Sequence, residues 1–195
     1  MNKNGWIEIV CGPMFSGKTE ELLRKLNRLN YAKKDFLLFK MKIDGRYDNE
    51  KVVSHGRNAM FAINVENSLD ILTACEKSPH IKYIGIDEIQ FLPTKDVFNA
   101  YKLCVELKKR GYTVFASGLD MDYLGNPFGI MGSILSVADR IEKLKACCFI
   151  CGEDAGMSAK IDVESEEIID VGGTEKYQSM CQTHWLQNLE NQKKK

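Results

Sequence analysis

The chain carries no excess of charge of either sign: its 195 residues hold 27 basic and 27 acidic side chains. A protein whose main partner is a nucleic-acid backbone favours a basic surplus, so this balance argues against one, as does the lack of a basic–aromatic stripe. No apolar run approaches the ~20 residues needed to span a bilayer. The start, Met1-Asn2-Lys3-Asn4-Gly5, has none of the apolar core of a secretory signal. No internal repeat is present, which excludes a repeat architecture. What is present is a hydrophobic fraction of 44%, enough for a real core. The length suits one α/β domain with a small appendage. Seven cysteines without a secretory signal point to a reducing cytosol, where paired cysteines are more often metal ligands or buried thiols than disulfides.

The most informative stretch is Gly12-Pro13-Met14-Phe15-Ser16-Gly17-Lys18-Thr19. It fills every fixed position of G-x-x-x-x-G-K-[ST], the phosphate-binding loop. The run Trp6–Val10 before it reads as a strand, and Glu20–Leu29 after it reads as a helix. Strand, glycine loop and helix is the setting in which the motif works. Its glycines let successive N–H groups converge on a phosphate, and the helix N-terminus adds its positive end. Lys18 would reach the outer phosphates and the Thr19 hydroxyl would hold Mg²⁺. An ordinary glycine-rich turn has no need of the Gly-Lys-Thr ending.

Strand and helix signals alternate onward. Phe36–Phe39 and Ala62–Val65 read as strands, Ser68–Glu76 as a short helix with Ser68 at its N-cap, and Ile81–Ile86 as a strand. Val97–Arg110 reads as a helix stopped by Gly111, and Tyr112–Ala116 as a further strand. This rhythm implies an α/β fold, a mainly parallel sheet flanked by helices. Residues 41–60 read as a long loop, and a loop of that length inside a compact domain is usually functional. After Leu144 the pattern breaks into cysteines, glycines and charges. The expected division is residues 1–142 for the α/β domain and 143–195 for the appendage, with the Asn191–Lys195 tail a solvated terminus.

Two further constellations carry chemistry. The strand Ile84-Gly85-Ile86 ends in Asp87-Glu88. An acidic residue at such a strand end holds Mg²⁺ in phosphate-loop enzymes, usually through water, and Asp87 is placed for that. If strand geometry persists, Glu88 points to the other side and can accept a proton from an attacking hydroxyl. Cys148-Phe149-Ile150-Cys151 and Cys181-Gln182-Thr183-His184 are two close ligand pairs separated by a loop, the spacing of a structural zinc site. Four protein ligands close such a site, and a 50-residue tail with little core needs a staple. Cys147 is an alternative to Cys148 as the first ligand. Cys11, Cys75 and Cys104 read as small core residues.

In this order the motifs resemble the type II thymidine kinases, a zinc-containing family. The resemblance runs from Gly5 to about His184. It includes Lys42–Tyr47, Ser54-His55, Ile84–Phe91, Gly118-Leu119-Asp120, Pro127-Phe128-Gly129 and Gly172-Gly173 through Lys176-Tyr177. It implies transfer of the γ-phosphate of ATP to the 5′-hydroxyl of thymidine, in pyrimidine deoxynucleoside salvage. Glu88 would be the general base, Arg46 a cation at the transferring phosphate, and Gln90 would stand with Asp87 on the nucleotide side. Met14, Phe91, Leu119, Tyr123, Phe128 and Ser158 would line the base and sugar pocket. A lasso loop, about 161–177, would close over the nucleoside. The backbone of Asp170, Val171 and Gly172 would read the thymine edge, and Tyr177 would contact the nucleoside. The resemblance also implies ATP, Mg²⁺ and structural Zn²⁺, a cytoplasmic homotetramer and inhibition by thymidine triphosphate. Without it, Phe91, Leu119 and Phe128 read as plain core and Arg46 as a solvated loop charge. The competing readings are a phosphate-loop ATPase whose zinc module acts on nucleic acid, and a zinc protein that binds nucleotide without turnover. Zero net charge and an intact Asp87-Glu88 pair speak against them.

Overall fold

The computed structural model describes residues 4–42, 51–53, 59–93, 98–161 and 173–192. Strand β1 (Trp6–Gly12) enters the glycine loop, and α1 (Lys18–Tyr31) leaves it. β2 (Phe36–Met41), the short β3 (Lys51–Val53), β4 (Ala59–Phe61) and β5 (Ile63–Val65) follow, and then α2 (Ser68–Lys77) and β6 (Tyr83–Asp87). A 3₁₀ turn (Ile89–Phe91) leads on to α3 (Ala100–Lys109), β7 (Thr113–Leu119), α4 (Met131–Val137) and β8 (Arg140–Lys143). The central sheet has the order β5-β2-β6-β7-β1-β8, and every pair in it is parallel. The expected parallel α/β sheet is therefore present.

Apolar residues on both faces of the central strands explain its two cores. On one face α1 packs Leu22, Leu23, Leu26 and Leu29 with Leu38, Val52 and Ala62. On the other, α2, α3 and α4 cover Ile7, Ile9, Phe39, Ile84, Ile86 and Val114. Cys11, Cys75 and Cys104 lie in this second core. Burial pushes their thiols up to about 11, 11 and 12, as expected of inert packing residues.

Several local expectations change. The N-cap of α2 is Asn67, not Ser68. The Asn67 side chain accepts from the Leu69 and Asp70 N–H groups at 2.9 and 3.1 Å, and Asp70 answers the Asn67 N–H at 3.2 Å. This reciprocal box satisfies two helix-start donors, and Ser68 becomes the first helical residue. Part of the 41–60 stretch is an antiparallel ribbon of β3 and β4, whose three-residue strands are too short to show a period. β8 went unseen because Arg140-Ile141-Glu142-Lys143 has a charged, edge-strand composition. Gly111 does stop α3. It takes φ 77°, and the Gly111 and Tyr112 N–H groups donate to the Lys108 and Leu107 carbonyls, a Schellman ending.

Beyond β8 the chain forms two small ribbons, β9 (Ala146–Cys147) with β10 (Asp154–Ala155), and β11 (Met157–Lys160) with β12 (Tyr177–Met180). Helix α5 (Gln182–Gln192) closes the segment. Asn191 and Gln192 are therefore helical, and Gln192 Nε2 donates to the Lys160 carbonyl at 2.6 Å. The apolar cluster of this segment is small: Ala146, Cys148, Ala155, Ala159 and Met180. No described helix is long and apolar enough to cross a membrane.

Candidate active site and metal centre

In an open parallel sheet, ligands sit beyond the carboxyl ends of the strands. There β1, β7 and β6 lie side by side, and the sequence-predicted residues meet. Gly12 at φ 145° and Gly17 at φ 81° give the loop its shape. A side chain at Gly12 would also strike the Leu144 carbonyl, 2.5 Å from the position of its Cβ. Lys18 is buried, and its ammonium donates to the loop's own Pro13 carbonyl at 2.6 Å. The Ser16 hydroxyl donates to the same carbonyl at 2.8 Å. Burial pulls the Lys18 ammonium below its ordinary value, against the opposing pull of Glu88, Asp87 and Asp120.

Asp87, the last residue of β6, is 5% exposed. It accepts from the Thr19 hydroxyl at 3.2 Å to each oxygen, from the Ser117 hydroxyl, and from the Glu88 N–H at 3.2 Å. Burial, with the neighbouring Glu88 charge, pushes its carboxyl up to about 6 despite these donors. Strand geometry does not persist past it. Glu88 turns into the left-handed region at φ 54°, so a backbone turn, not strand alternation, parts the two carboxylates. Gln90 Nε2 donates to Glu88 Oε2, and Gln90 Oε1 accepts the Leu119 N–H at 3.2 Å. The buried Gln90 side chain thus ties Glu88 to the end of β7. Gly118 leaves room for it, since a Cβ there would lie 2.5 Å from Gln90 Oε1.

Beside this centre, Phe91 and Phe128 form an edge-to-face pair with ring centroids 5.7 Å apart. Phe128 belongs to the second core, and Phe91 and Leu119 pack against it. Their core role and a place on a pocket wall are compatible. Tyr123 is half-buried on a turn organised by Asp122, whose carboxylate accepts the Leu124 and Asn126 N–H groups at 2.9 Å. The C-terminal segment reaches into the same region. The Ser158 hydroxyl accepts the Met14 N–H at 3.0 Å, and Trp185 Nε1 donates to the Tyr123 carbonyl at 2.8 Å. Tyr177 is buried at the start of β12, opposite Lys160. Arg46, Asp170, Val171 and Gly172, together with His55, lie outside the described residues.

Sequence reasoning missed three side chains here. Ser117 holds Asp87, Trp185 holds the Tyr123 turn, and Asp120 is buried 2.8 Å from the Lys143 ammonium. Asp120 stood in a quoted segment, but its burial and its partner on β8 carry no sequence signal.

The ligand atoms of Cys148, Cys151, Cys181 and His184 all lie within 4.8 Å of one another. Cys148 Sγ is 3.5 Å and Cys181 Sγ 3.2 Å from His184 Nδ1, and Cys151 Sγ is 3.9 Å from Cys181 Sγ. A tetrahedral zinc with sulfurs at ~2.3 Å sets them ~3.8 Å apart, so three thiols and one imidazole at these separations suit that ion. Cys148, not Cys147, joins the other three. Cys147 is exposed on β9, and its carbonyl accepts from Ser179 Oγ at 2.6 Å. Burial pushes the Cys148 thiol up, but N–H groups of Cys181, Cys151 and Ile150 outweigh it and bring it down to about 6. Those donors favour the thiolate, the form that binds metal.

A family model described as thymidine kinase matches residues 5–185. The match takes in the glycine loop, the Asp87-Glu88 strand end and the cluster of Cys148, Cys151, Cys181 and His184.

Proposed function

The chain belongs to the thymidine kinase family, and from that premise we propose that it transfers the γ-phosphate of ATP to the 5′-hydroxyl of thymidine. One observation carries the reading: Lys18, Thr19, Asp87 and Glu88 converge at the carboxyl ends of β1 and β6. Phosphoryl transfer needs a cation at the phosphates, hard oxygen ligands for Mg²⁺ and a carboxylate for the attacking hydroxyl, and these residues are of those types. Bound Mg²⁺ would neutralise charge on the phosphate oxygens. Asp87 and the Thr19 hydroxyl suit it, being hard oxygen donors already drawn to one another.

In this mechanism Lys18 leaves the Pro13 carbonyl and turns to the outer phosphates. Glu88, held by Gln90, accepts the proton of the 5′-hydroxyl. Arg46 contributes positive charge where negative charge spreads over the γ-oxygens. Met14, Phe91, Leu119, Tyr123, Phe128, Ser158 and Tyr177 enclose base and sugar. The 161–177 lasso closes over them, with the backbone at Asp170, Val171 and Gly172 pairing the thymine edge and excluding water. The zinc cluster braces both ends of that lasso and takes no part in the chemistry. A cytoplasmic homotetramer inhibited by thymidine triphosphate completes the proposal.

Measuring ADP release with thymidine, with single-stranded DNA and with neither tests it. Release that needs thymidine is expected. Release driven by DNA, or independent of both, would overturn the reading.

A further inference from the structure

Ser158 lies on β11 of the C-terminal segment, yet its hydroxyl is bonded to the glycine loop 144 positions earlier in the chain. The peptide that it holds is the one between Pro13 and Met14. The carbonyl of that peptide accepts from Ser16 Oγ and Lys18 Nζ, both within the loop. Its N–H donates to Ser158, which is 6% exposed and sits in a ladder running from Met157↔Met180 to Lys160↔Tyr177. The two faces of this peptide are therefore held by different parts of the molecule. When Lys18 turns to a phosphate it must release the Pro13 carbonyl, and the bond to Ser158 remains.

We propose that Ser158 is a positioning residue for the phosphate loop, so that nucleotide affinity depends on a hydroxyl supplied by the C-terminal segment. The inference rests on the reading that Gly12–Thr19 receives a nucleotide. A phosphate nest is made of backbone N–H groups, and its affinity follows the orientation of its peptides. Gly12, Phe15 and Gly17 all take positive φ, so the loop is bent at three places within six residues. Phe15 adopts a region that non-glycine residues rarely visit, and such a conformation persists only where its surroundings hold it. A fixed Pro13–Met14 peptide, next to Phe15, is such a restraint. The Ser158 hydroxyl spends one lone pair on Met14 and keeps its own hydrogen to donate. It can thus serve the loop without losing its place at the nucleoside. A ligand that orders the β11–β12 ladder, which ends at Lys160 and Tyr177, would in the same movement firm the phosphate loop.

The test is calorimetric binding of Mg·ADP to the full chain without nucleoside, in the parent and in Ser158→Ala, Ser158→Val and Ser158→Thr. Zinc content and thermal melting verify that each is folded. Ala and Val should bind Mg·ADP about 3- to 10-fold more weakly, the range one net hydrogen bond carries. Thr, which has the bulk of Val and restores the hydroxyl, should stay within about twofold of the parent, since the hydroxyl donor and acceptor are retained. Parental affinity in both Ala and Val would overturn the proposal. A parent that binds no Mg·ADP would instead sink the nucleotide reading beneath it. Should Ala and Val fail to fold, amide exchange at Met14 in the parent decides: protection supports the bond, and exchange at the rate of an open loop refutes it.

Discussion

Asp87→Asn should stabilise the magnesium-free protein while destroying its activity. The carboxyl is 5% exposed and pushed from 3.8 to about 6, chiefly by burial and next by the Glu88 charge. A rise of that size is worth about 3 kcal/mol of preference for a neutral group. The sign is fixed by the direction. The folded value lies above the unfolded one, so above pH ~6 the fold bears the whole penalty, and below pH ~4 both states are neutral and the penalty is gone. Asn removes the charge but keeps the shape. Of the three donors on Asp87, two are hydroxyls, from Thr19 and Ser117. A hydroxyl can reverse and accept from the new amide, so most of the bonding survives. Imperfect pairing leaves a net gain of about 1–3 kcal/mol at pH 7. At ~2–4 °C per kcal/mol for a chain of this size, Tm should rise by about 2–12 °C. The assay is thermal melting without added Mg²⁺ at pH 7 and pH 4.5, and then with Mg·ATP. The advantage over the parent should shrink at the lower pH. Mg·ATP should raise the parent's Tm and leave the variant's nearly unchanged. A lower Tm for Asn at pH 7, or an advantage independent of pH, would refute this account of Asp87.

Glu88→Gln should lower kcat by about 10²–10⁴-fold with ATP affinity unchanged, because only the proton acceptor is lost; a collapse of ATP binding instead would make Glu88 a metal ligand. Cys181→Ser should reduce bound zinc from about one per chain and raise KM for both substrates, since Ser158 and Trp185 carry the C-terminal segment onto Met14 and Tyr123. Unchanged steady-state kinetics in a zinc-depleted variant would count against it. Lys25→Met should cost about 2–3 kcal/mol in urea unfolding, below the ~3–5 of a fully buried pair, because Glu142 is about a third exposed. The buried Lys25 ammonium lies 2.9, 2.7 and 2.7 Å from Glu8, Glu21 and Glu142, and its loss leaves three carboxylates facing each other. That deficit should shrink on acidification, as the glutamates take up protons. Arg24 above all, with Lys25, holds Glu21 down to about 2, so in the parent this contribution is full above pH ~4.5 and fades as pH falls toward 2. A pH-independent deficit would mean that packing, not charge, is what Lys25 provides.

The sequence by itself determined the elements whose physics is local. The glycine loop, the apolar strand ending in Asp87-Glu88, the Gly111 stop and the Cys-x-x-Cys and Cys-x-x-His pairs are each a short pattern with a mechanism of its own; the first three stand where the pattern put them, and the two pairs come together as one cluster. Contacts between distant segments left no such trace. β8 is a strand because it lies against β1, not because Arg140-Ile141-Glu142-Lys143 favours one. The rival ligand positions Cys147 and Cys148 are adjacent in sequence, and only the packing of the β9–β10 ribbon turns Cys148 toward His184. Glu88 leaves the strand by a left-handed turn that no residue type announces. Ser158 could be named as a pocket residue, but its bond to Met14 exists because β11 folds back over the loop. Periodicity and motif spacing act along the chain. The second partner of a hydrogen bond or ion pair lies wherever the tertiary fold brings it, and that decides what a functional side chain is held by.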